Sequence, residues 1–531
     1  DTQCVFYAHA SVGELHLRPQ IYLCKKEGLE KMKAMADEIA DLVKKYNGSL
    51  SGEHGDGRVP APYIKKILGE EMLPVLQQVK EIWDPEYIFN SGKIVKPKPV
   101  DADLRFSPSY KKPKPDTVFS WRKEGDFGSA MELCNGAGVC RKLAESGGTM
   151  CPSYMATRDE KDSTRGRANV FRQVFAGEDP KGYESEELKE ALDLCLSCKA
   201  CKSECPANVD MGKMKAEFTN GWHKKKGSTI ADAAKVFPLA SITPKIANAV
   251  AASGIGKQLL ERVFGIDSRR DLPEFADQPF RRWYSKHRRN GALKSDEKVV
   301  LFVDVFTNYN DPEIGKSAVH VLENMGYEVI IPKAMETGRP QLSKGFLEEA
   351  KEICQRVLNE FEEYIEAGIP VVGLEPSEIL TVRDEFLELC SEKELPLALK
   401  LAKQSFLFEE FVANNADRLS PQNIKQNVTL HGHCHAKALV GNDPTVAALE
   451  ASGYDVEVLE TGCCGMAGSF GYEKDHYEVS QEIGNLVLFP SLKEREETLV
   501  CAPGFSCRHQ IKDGVNIKSY HPAELIYRSL S

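Results

Sequence analysis

The chain has 531 residues, enough for three or four domains, and its 42% hydrophobic content can fill several cores. A net charge of -10 disfavours nonspecific binding to nucleic acid or to an anionic membrane. Sixteen cysteines over this length are too sparse for a disulfide scaffold, and their clustering indicates metal in a reducing, cytoplasmic compartment.

The order of motifs implies a multidomain α+β and α/β protein. Residues 1–96 read as an α+β piece: an alternating strand from Val5 to Leu17, a charged helix from Gly28 to Lys45, then a glycine-rich loop from Ser51 to Arg58. In "YAHASVGELHLRP", His9 and His16 stand seven apart, which on a regular strand puts them on opposite faces. Convergence on one ion needs a bend, and Gly13 supplies it. "SGEHGDGR" adds Glu53 and His54 on a flexible backbone. Two histidines and a carboxylate leave open coordination positions, as in a catalytic Lewis-acid site, whereas any one of these histidines alone reads as a structural hydrogen-bonder. Arg18 shares the strand face of His16 and could clamp a carboxylate, or pair with a surface acid.

Residues 97–125 carry five prolines up to Pro115 among many lysines and read as a stiff extended linker. The cysteine-rich unit follows at 126–226, with helices expected over Arg165–Phe175 and Glu186–Leu194. Cys195-x2-Cys198-x2-Cys201-x3-Cys205-Pro206 is the run that wraps a 4Fe-4S cubane and gives its fourth cysteine to a second cluster. Upstream stand Cys134, Cys140 and Cys151-Pro152, with Ala137 where another cysteine would fall. One cluster is thus assigned Cys195, Cys198, Cys201 and Cys151. Cys134, Cys140 and Cys205 surround a second site one ligand short, which leaves a three-iron cluster, a cubane with a non-cysteine ligand, or an empty site. Structural zinc is the alternative for four thiolates, although zinc sites pair cysteines across two knuckles.

A basic helical connector spans 227–295, and the stretch Ile230–Ile266 is too broken by charge and proline to cross a membrane. Two copies of a strand-helix-strand pattern follow, at 296–420 and 421–531. "VVLFVDVFTN" and "VLENMGYEVIIPKAMETG" parallel "VTLHGHCHAK" and "ALEASGYDVEVLETGCCG". The second copy has thiols in its turns: Cys434, Cys463-Cys464-Gly465 and Cys507, with Cys501 close by as a fifth candidate ligand. In the first copy the same places hold Val305, Glu336-Thr337-Gly338 and Glu378, so it reads as scaffold. Neighbouring cysteines face one centre only at a tight turn, which Gly462 and Gly465 permit; otherwise these are buried reduced thiols. Cys4, Cys24, Cys354 and Cys390 read as structural.

"HASVGELHLRP", "SGEHGDGR" and "WDPEYIFNSGKI" resemble the C-terminal half of an FAD-linked oxidase of the vanillyl-alcohol oxidase type. "GTMCPSYMATRDEKDSTRGRAN", the ferredoxin run and the CCG repeat resemble the iron-sulfur half of the long fused bacterial D-2-hydroxyacid dehydrogenases, nearest the branch acting on D-2-hydroxyglutarate. The resemblance implies that His9, His16 and Glu53 hold zinc or manganese against a 2-hydroxyacid, that His54 is the general base, and that Asn90 and Lys93 lie near FAD. It implies hydride transfer to FAD and one-electron relay through clusters to a quinone, an electron-transfer protein or a cytochrome. The flavin-binding domain of such proteins has no match here, so FAD is expected to be held mostly by an N-terminal half, absent from a fragment or separate as a partner. A cytoplasmic protein, or one peripheral at the inner membrane, is expected, with no transmembrane segment, no nucleic acid, and homo-oligomerisation open. Where relatives read His-x-Gly-Asp-Gly-Asn-Leu-His, this chain has Ser11, Val12 and Glu14. Alternatives are a D-lactate dehydrogenase, a non-catalytic iron-sulfur electron-transfer subunit, and a heterodisulfide-reductase-like thiol enzyme.

Overall fold

A computed structural model describes residues 2–176, 180–226, 237–238, 240–422, 425–495 and 497–530. The chain divides into two compact units, Asp1–Lys112 and Pro113–Ser531.

In the first unit the alternating stretch folds as a hairpin of two strands, β1 (Cys4–His9) and β2 (Glu14–Pro19), where sequence alternation suggests one bent strand. The strands pair antiparallel, with Tyr7 opposite His16 and His9 opposite Glu14. The four residues between them turn back on hydrogen bonds from Val12 N–H to the His9 carbonyl and from Gly13 N–H to that of Ala10. Gly13 has φ +67°, a conformation natural to glycine. An amphipathic helix, Lys26–Lys45, follows, and a shorter one covers Met72–Trp83. Beyond it the Asp84 carboxylate accepts from Ile88 N–H at 2.9 Å and Phe89 N–H at 3.0 Å, which shapes the turn leading to Asn90 and Lys93.

The expected linker is not a uniform extended spacer. Asp101 pairs with Lys33 at 2.9 Å, so its first part belongs to the first unit. From Pro113 onward it is a strap of the second unit: Phe119 and Trp121 are buried, and the Glu217 carboxylate accepts from Val118 and Phe119 N–H groups. The aromatic side chains, not the prolines, decide the placement, because burying two such rings outweighs keeping the chain extended in water.

The second unit opens with short helices around the cysteines. The expected helices fall at Thr164–Ala176 and Glu186–Asp193, the latter capped by the Ser185 hydroxyl accepting from Leu188 N–H. Buried Arg167 donates to the Ala191 carbonyl at 2.7 Å and the Ser153 hydroxyl at 3.0 Å, tying three helical segments together. The connector contributes helices Pro244–Ala252, Gly254–Phe264 and Phe280–Arg289, while residues 227–236 and 239 lie outside the described residues. Among the described residues no helix is long and apolar enough to cross a membrane.

The repeat is a duplication in three dimensions. Its first copy has strands β3 (Lys298–Phe302), β4 (Glu328–Ile330), β5 (Val371–Gly373) and β6 (Ser405–Leu407), in the order β4-β3-β5-β6. The second has β7 (Gln426–Leu430), β8 (Tyr454–Val458), β9 (Leu499–Cys501) and β10 (Ser519–Tyr520), in the matching order β8-β7-β9-β10. All pairings in both sheets are parallel. Such strands are covered on both faces, which explains the continuous apolar run at Val299–Val303 and the burial of Val428, Thr429 and Leu430 alike. One hydrophobic core holds Val299 and Leu301 of one copy with Val428 and Leu430 of the other.

Candidate functional site

The hairpin resolves the spacing of the two histidines. Directly opposed residues point to the same side of an antiparallel pair, so Tyr7, His9, Glu14, His16 and Arg18 share one face. The imidazole centroids of His9 and His16 are 4.9 Å apart. Glu53 reaches both from the glycine-rich loop: Oε2 lies 3.4 Å from His9 Nε2 and Oε1 3.4 Å from His16 Nε2. Its Oε1 is also 2.8 Å from His54 Nε2. The Tyr7 ring stacks on His16 at 4.3 Å, and Arg18 Nη2 donates to the Tyr7 hydroxyl at 2.5 Å. Asn90 and Lys93 sit in the turn after the helix Met72–Trp83, Asn90 exposed and Lys93 half-buried.

One ligand atom each from His9, His16 and Glu53 can lie within 4.8 Å of one another. His16 Nε2 and Glu14 Oε2 are buried without a hydrogen-bond partner. Burial of a polar atom without a partner is costly, and a divalent cation among two nitrogens and a carboxylate would satisfy these atoms. The donor set therefore fits the expected metal. His9 is 45% exposed at its side chain, which leaves the site open to a small molecule.

The iron-sulfur thiols are assembled by a tightly curled loop. Ser197 and Lys199 both have left-handed backbone, with φ +51° and +61°, which folds the segment between Cys195 and Cys201 around a centre. Cys151, Cys195, Cys198 and Cys201 are near enough for charge on one to act on the others, the grouping expected for the first cluster. Backbone N–H groups point at sulfur: Thr164 to Cys151 at 3.3 Å and Met211 to Cys201 at 3.4 Å. Burial pushes the Cys151 thiol up to about 11 and raises Cys198 and Cys201, so thiolates here need a cation to offset their desolvation. Cys134 and Cys140 lie together, Cys140 accepting from Arg165 N–H at 3.3 Å, and Cys205 is half-buried at the end of the helix Ala200–Glu204.

In the second repeat the thiols gather just beyond the carboxyl ends of parallel strands, where α/β sheets place their ligands. Cys434, Cys463, Cys464 and Cys507 form a hydrogen-bonded chain of thiols that ends on His431. A hydrogen bond from Cys463 holds the Cys434 thiol down at about 6, and Cys464 is lowered by hydrogen bonds from Cys463 and Cys507. His431, Cys464 and Cys507 can each bring one ligand atom within 4.8 Å of the others. Sequence reasoning missed His431. Its place immediately after the buried end of a strand, Val428–Leu430, and three residues before Cys434 was the available signal, and Thr461 fixes the ring through a 2.7 Å hydrogen bond to Nδ1. Gly465, at φ +95°, could not carry a side chain, because a Cβ would come within 2.4 Å of the Ser480 carbonyl. Lys437 Nζ donates to the carbonyls of Thr461 and Gly462 and holds the turn.

Cys501 does not join this group. It is the last residue of β9, fully buried in the core beside Val428, Leu430 and Tyr454. Strand pleat overrides closeness in sequence. Cys354 and Cys390 are buried in the core, and Cys4 and Cys24 are half-buried.

The thiol turn faces the iron-sulfur loop directly. Charge on Cys434 acts on Cys198, His435 Nε2 is 3.0 Å from the Ser197 carbonyl, and Gly462 meets the backbone of Gly148 and Thr149. The first repeat has no thiols at the matching turns. There Thr337 donates from its N–H at 2.7 Å and its hydroxyl at 2.5 Å to the Glu378 carboxylate. Its loops grip the iron-sulfur loop instead: Lys199 pairs with Asp384 at 2.7 Å and Glu385 at 2.6 Å.

Comparison with known families matches residues 1–94 to the FAD linked oxidases, C-terminal domain, residues 133–210 to the 4Fe-4S dicluster domain, and residues 428–512 to the cysteine-rich CCG domain. The D-2-hydroxyglutarate dehydrogenase of Escherichia coli (strain K12) is 27% identical over 580 residues, covering 98% of this chain and 55% of the relative. A subunit of the anaerobic glycerol-3-phosphate dehydrogenase of the same organism is 31% identical over 280 residues, covering 52% of this chain and 69% of the relative. Lactate utilization protein A 1 of Bacillus mycoides (strain KBAB4) is 28% identical over 198 residues, covering 35% of this chain and 77% of the relative. The chain spans about half the length of the D-2-hydroxyglutarate dehydrogenases it matches.

Proposed function

The chain belongs to the family that joins an FAD-linked oxidase C-terminal domain to 4Fe-4S dicluster and CCG domains, and from that premise we propose that it oxidises a D-2-hydroxyacid, D-2-hydroxyglutarate first among them. The observation that carries this reading is the face on which His9, His16 and Glu53 converge with His54 hydrogen-bonded to Glu53. His9, His16 and Glu53 would hold zinc or manganese, and the four thiols of Cys151, Cys195, Cys198 and Cys201 a 4Fe-4S cluster. When bound, the cation would acidify the substrate hydroxyl, FAD would take the hydride, and the clusters would pass single electrons to an external acceptor.

The chain's own residues divide the remaining work. His54 receives the hydroxyl proton at an imidazole nitrogen, and Glu53 orients that ring. Arg18, braced by Tyr7, offers its guanidinium to a carboxylate; a dicarboxylic substrate has a second one to give and lactate does not. Cys434 faces Cys198, so the thiol centre is the next station after the cluster. The second reading, an electron-transfer subunit, is supported by the likeness of the cysteine-bearing half to one subunit of a dehydrogenase.

The test is anaerobic mixing of the assembled flavoenzyme with D-2-hydroxyglutarate while following flavin absorbance. His54→Ala is expected to slow flavin reduction by at least a hundredfold, within the range general bases contribute. Undiminished reduction would sink the dehydrogenase assignment.

A further inference from the structure

Glu14 lies beside His16 and across the strand pair from His9. It is the cross-strand partner of His9 and stands two residues from His16 on the same strand face. Its Oε1 is 3.9 Å from His16 Nε2, and its Oε2 is buried without a hydrogen-bond partner. Gly52 closes the other side: a Cβ at that position would fall 2.6 Å from Glu14 Oε2, so a larger residue there would displace the carboxylate from its present place. Among the described residues no lysine or arginine pairs with Glu14. A half-sequestered carboxylate with an empty lone pair, next to an imidazole nitrogen equally without a partner, is a pair of donors awaiting a cation.

We propose that Glu14 is a fourth protein ligand, which makes the centre a two-histidine, two-carboxylate site. This rests on the metal reading of His9, His16 and Glu53 given above. Two carboxylates cancel the charge of a divalent ion, where one leaves it net positive. The set becomes richer in hard oxygen, which raises affinity for manganese(II) in particular. It also removes one open coordination position and leaves fewer for a bound hydroxyacid. Gly52 then has a definite task, to leave room for the Glu14 carboxylate.

The experiment titrates the full chain, stripped by chelator, with manganese(II), reading free ion by electron paramagnetic resonance, and repeats the titration with zinc(II) in competition. Glu14→Gln keeps the shape of the side chain and removes its charge; manganese binding is expected to weaken at least tenfold, with His9→Ala losing it altogether. Gly52→Ala, which pushes the carboxylate aside, is expected to weaken binding in the same direction. If Glu14→Gln binds manganese within twofold of the parent while His9→Ala does not bind, Glu14 is no ligand and the three-residue site stands. If the parent chain binds neither ion at this face, the metal reading fails and the fourth ligand fails with it. Circular dichroism and iron content of each variant separate loss of the ion from loss of the fold.

Discussion

Glu378 stands in the first repeat at a turn where the second repeat carries a thiol. Its carboxyl is fully enclosed, and burial raises it to about 8, with hydrogen bonds from Thr337 pulling the other way. An acid raised above its ordinary 4.5 holds a proton in the folded state that the unfolded chain releases, so its contribution falls as pH rises from about 4.5 through 8. Glu378→Gln removes that dependence. The variant is expected to gain on the parent by on the order of 2 kcal/mol between pH 5.5 and 8.5, read as the difference in Tm at the two values; parallel Tm curves would contradict it. The pairing of Thr337 with Glu378 could not be read from sequence, because Glu-Thr-Gly carries no pattern that distinguishes a buried hydrogen bond from a surface turn. The cysteine runs stood out as motifs because thiol chemistry demands particular spacing, and the hairpin histidines as candidates because histidine pairs are scarce. Glu14 stood out in the sequence only as a departure from the relatives' motif, and His431 was overlooked, since the surroundings of each depend on strand register or strand-end position.

Between elements, His476 joins the iron-sulfur unit to the second repeat, with Nε2 2.9 Å from Asp193 and Nδ1 3.1 Å from Glu473. Burial opposes its charge, yet hydrogen bonds to the two carboxylates carry it up to about 9. A histidine raised above its ordinary 6.5 stabilises fully below that value, and the effect is lost as pH climbs through 9. His476→Gln should cost roughly 1–3 kcal/mol at pH 6 and much less at pH 9.5, measured by thermal unfolding of the iron-loaded chain. Equal losses at both values would mean that packing, not charge, makes the contact. At this scale the repeat, the helices Thr164–Ala176 and Glu186–Asp193, and the parallel grammar of both sheets were legible, each resting on periodicity that secondary structure enforces. The hairpin was not, because alternation runs unbroken through a turn whose only marker is Gly13. The strap was not either, since Phe119 and Trp121 lie next to prolines that look like a spacer.

For the whole molecule, the facing of Cys198 and Cys434 bears on the proposed electron relay. Cys198→Ser in the assembled enzyme is expected to leave flavin reduction by substrate intact and to cut electron delivery to an artificial acceptor by at least tenfold. Loss of both together would assign the cluster a structural duty.

The twin sheets divide labour unequally: the copy without thiols supplies Asp384 and Glu385 to the lysines beside the cluster, while its sibling presents sulfur from across the way. The copy without thiols acts as a vice on the iron-sulfur loop. Pruning the chain to its thiol-bearing copy would therefore discard no spare part, and a miniaturised version would have to bring a substitute grip for Lys199 and Lys202.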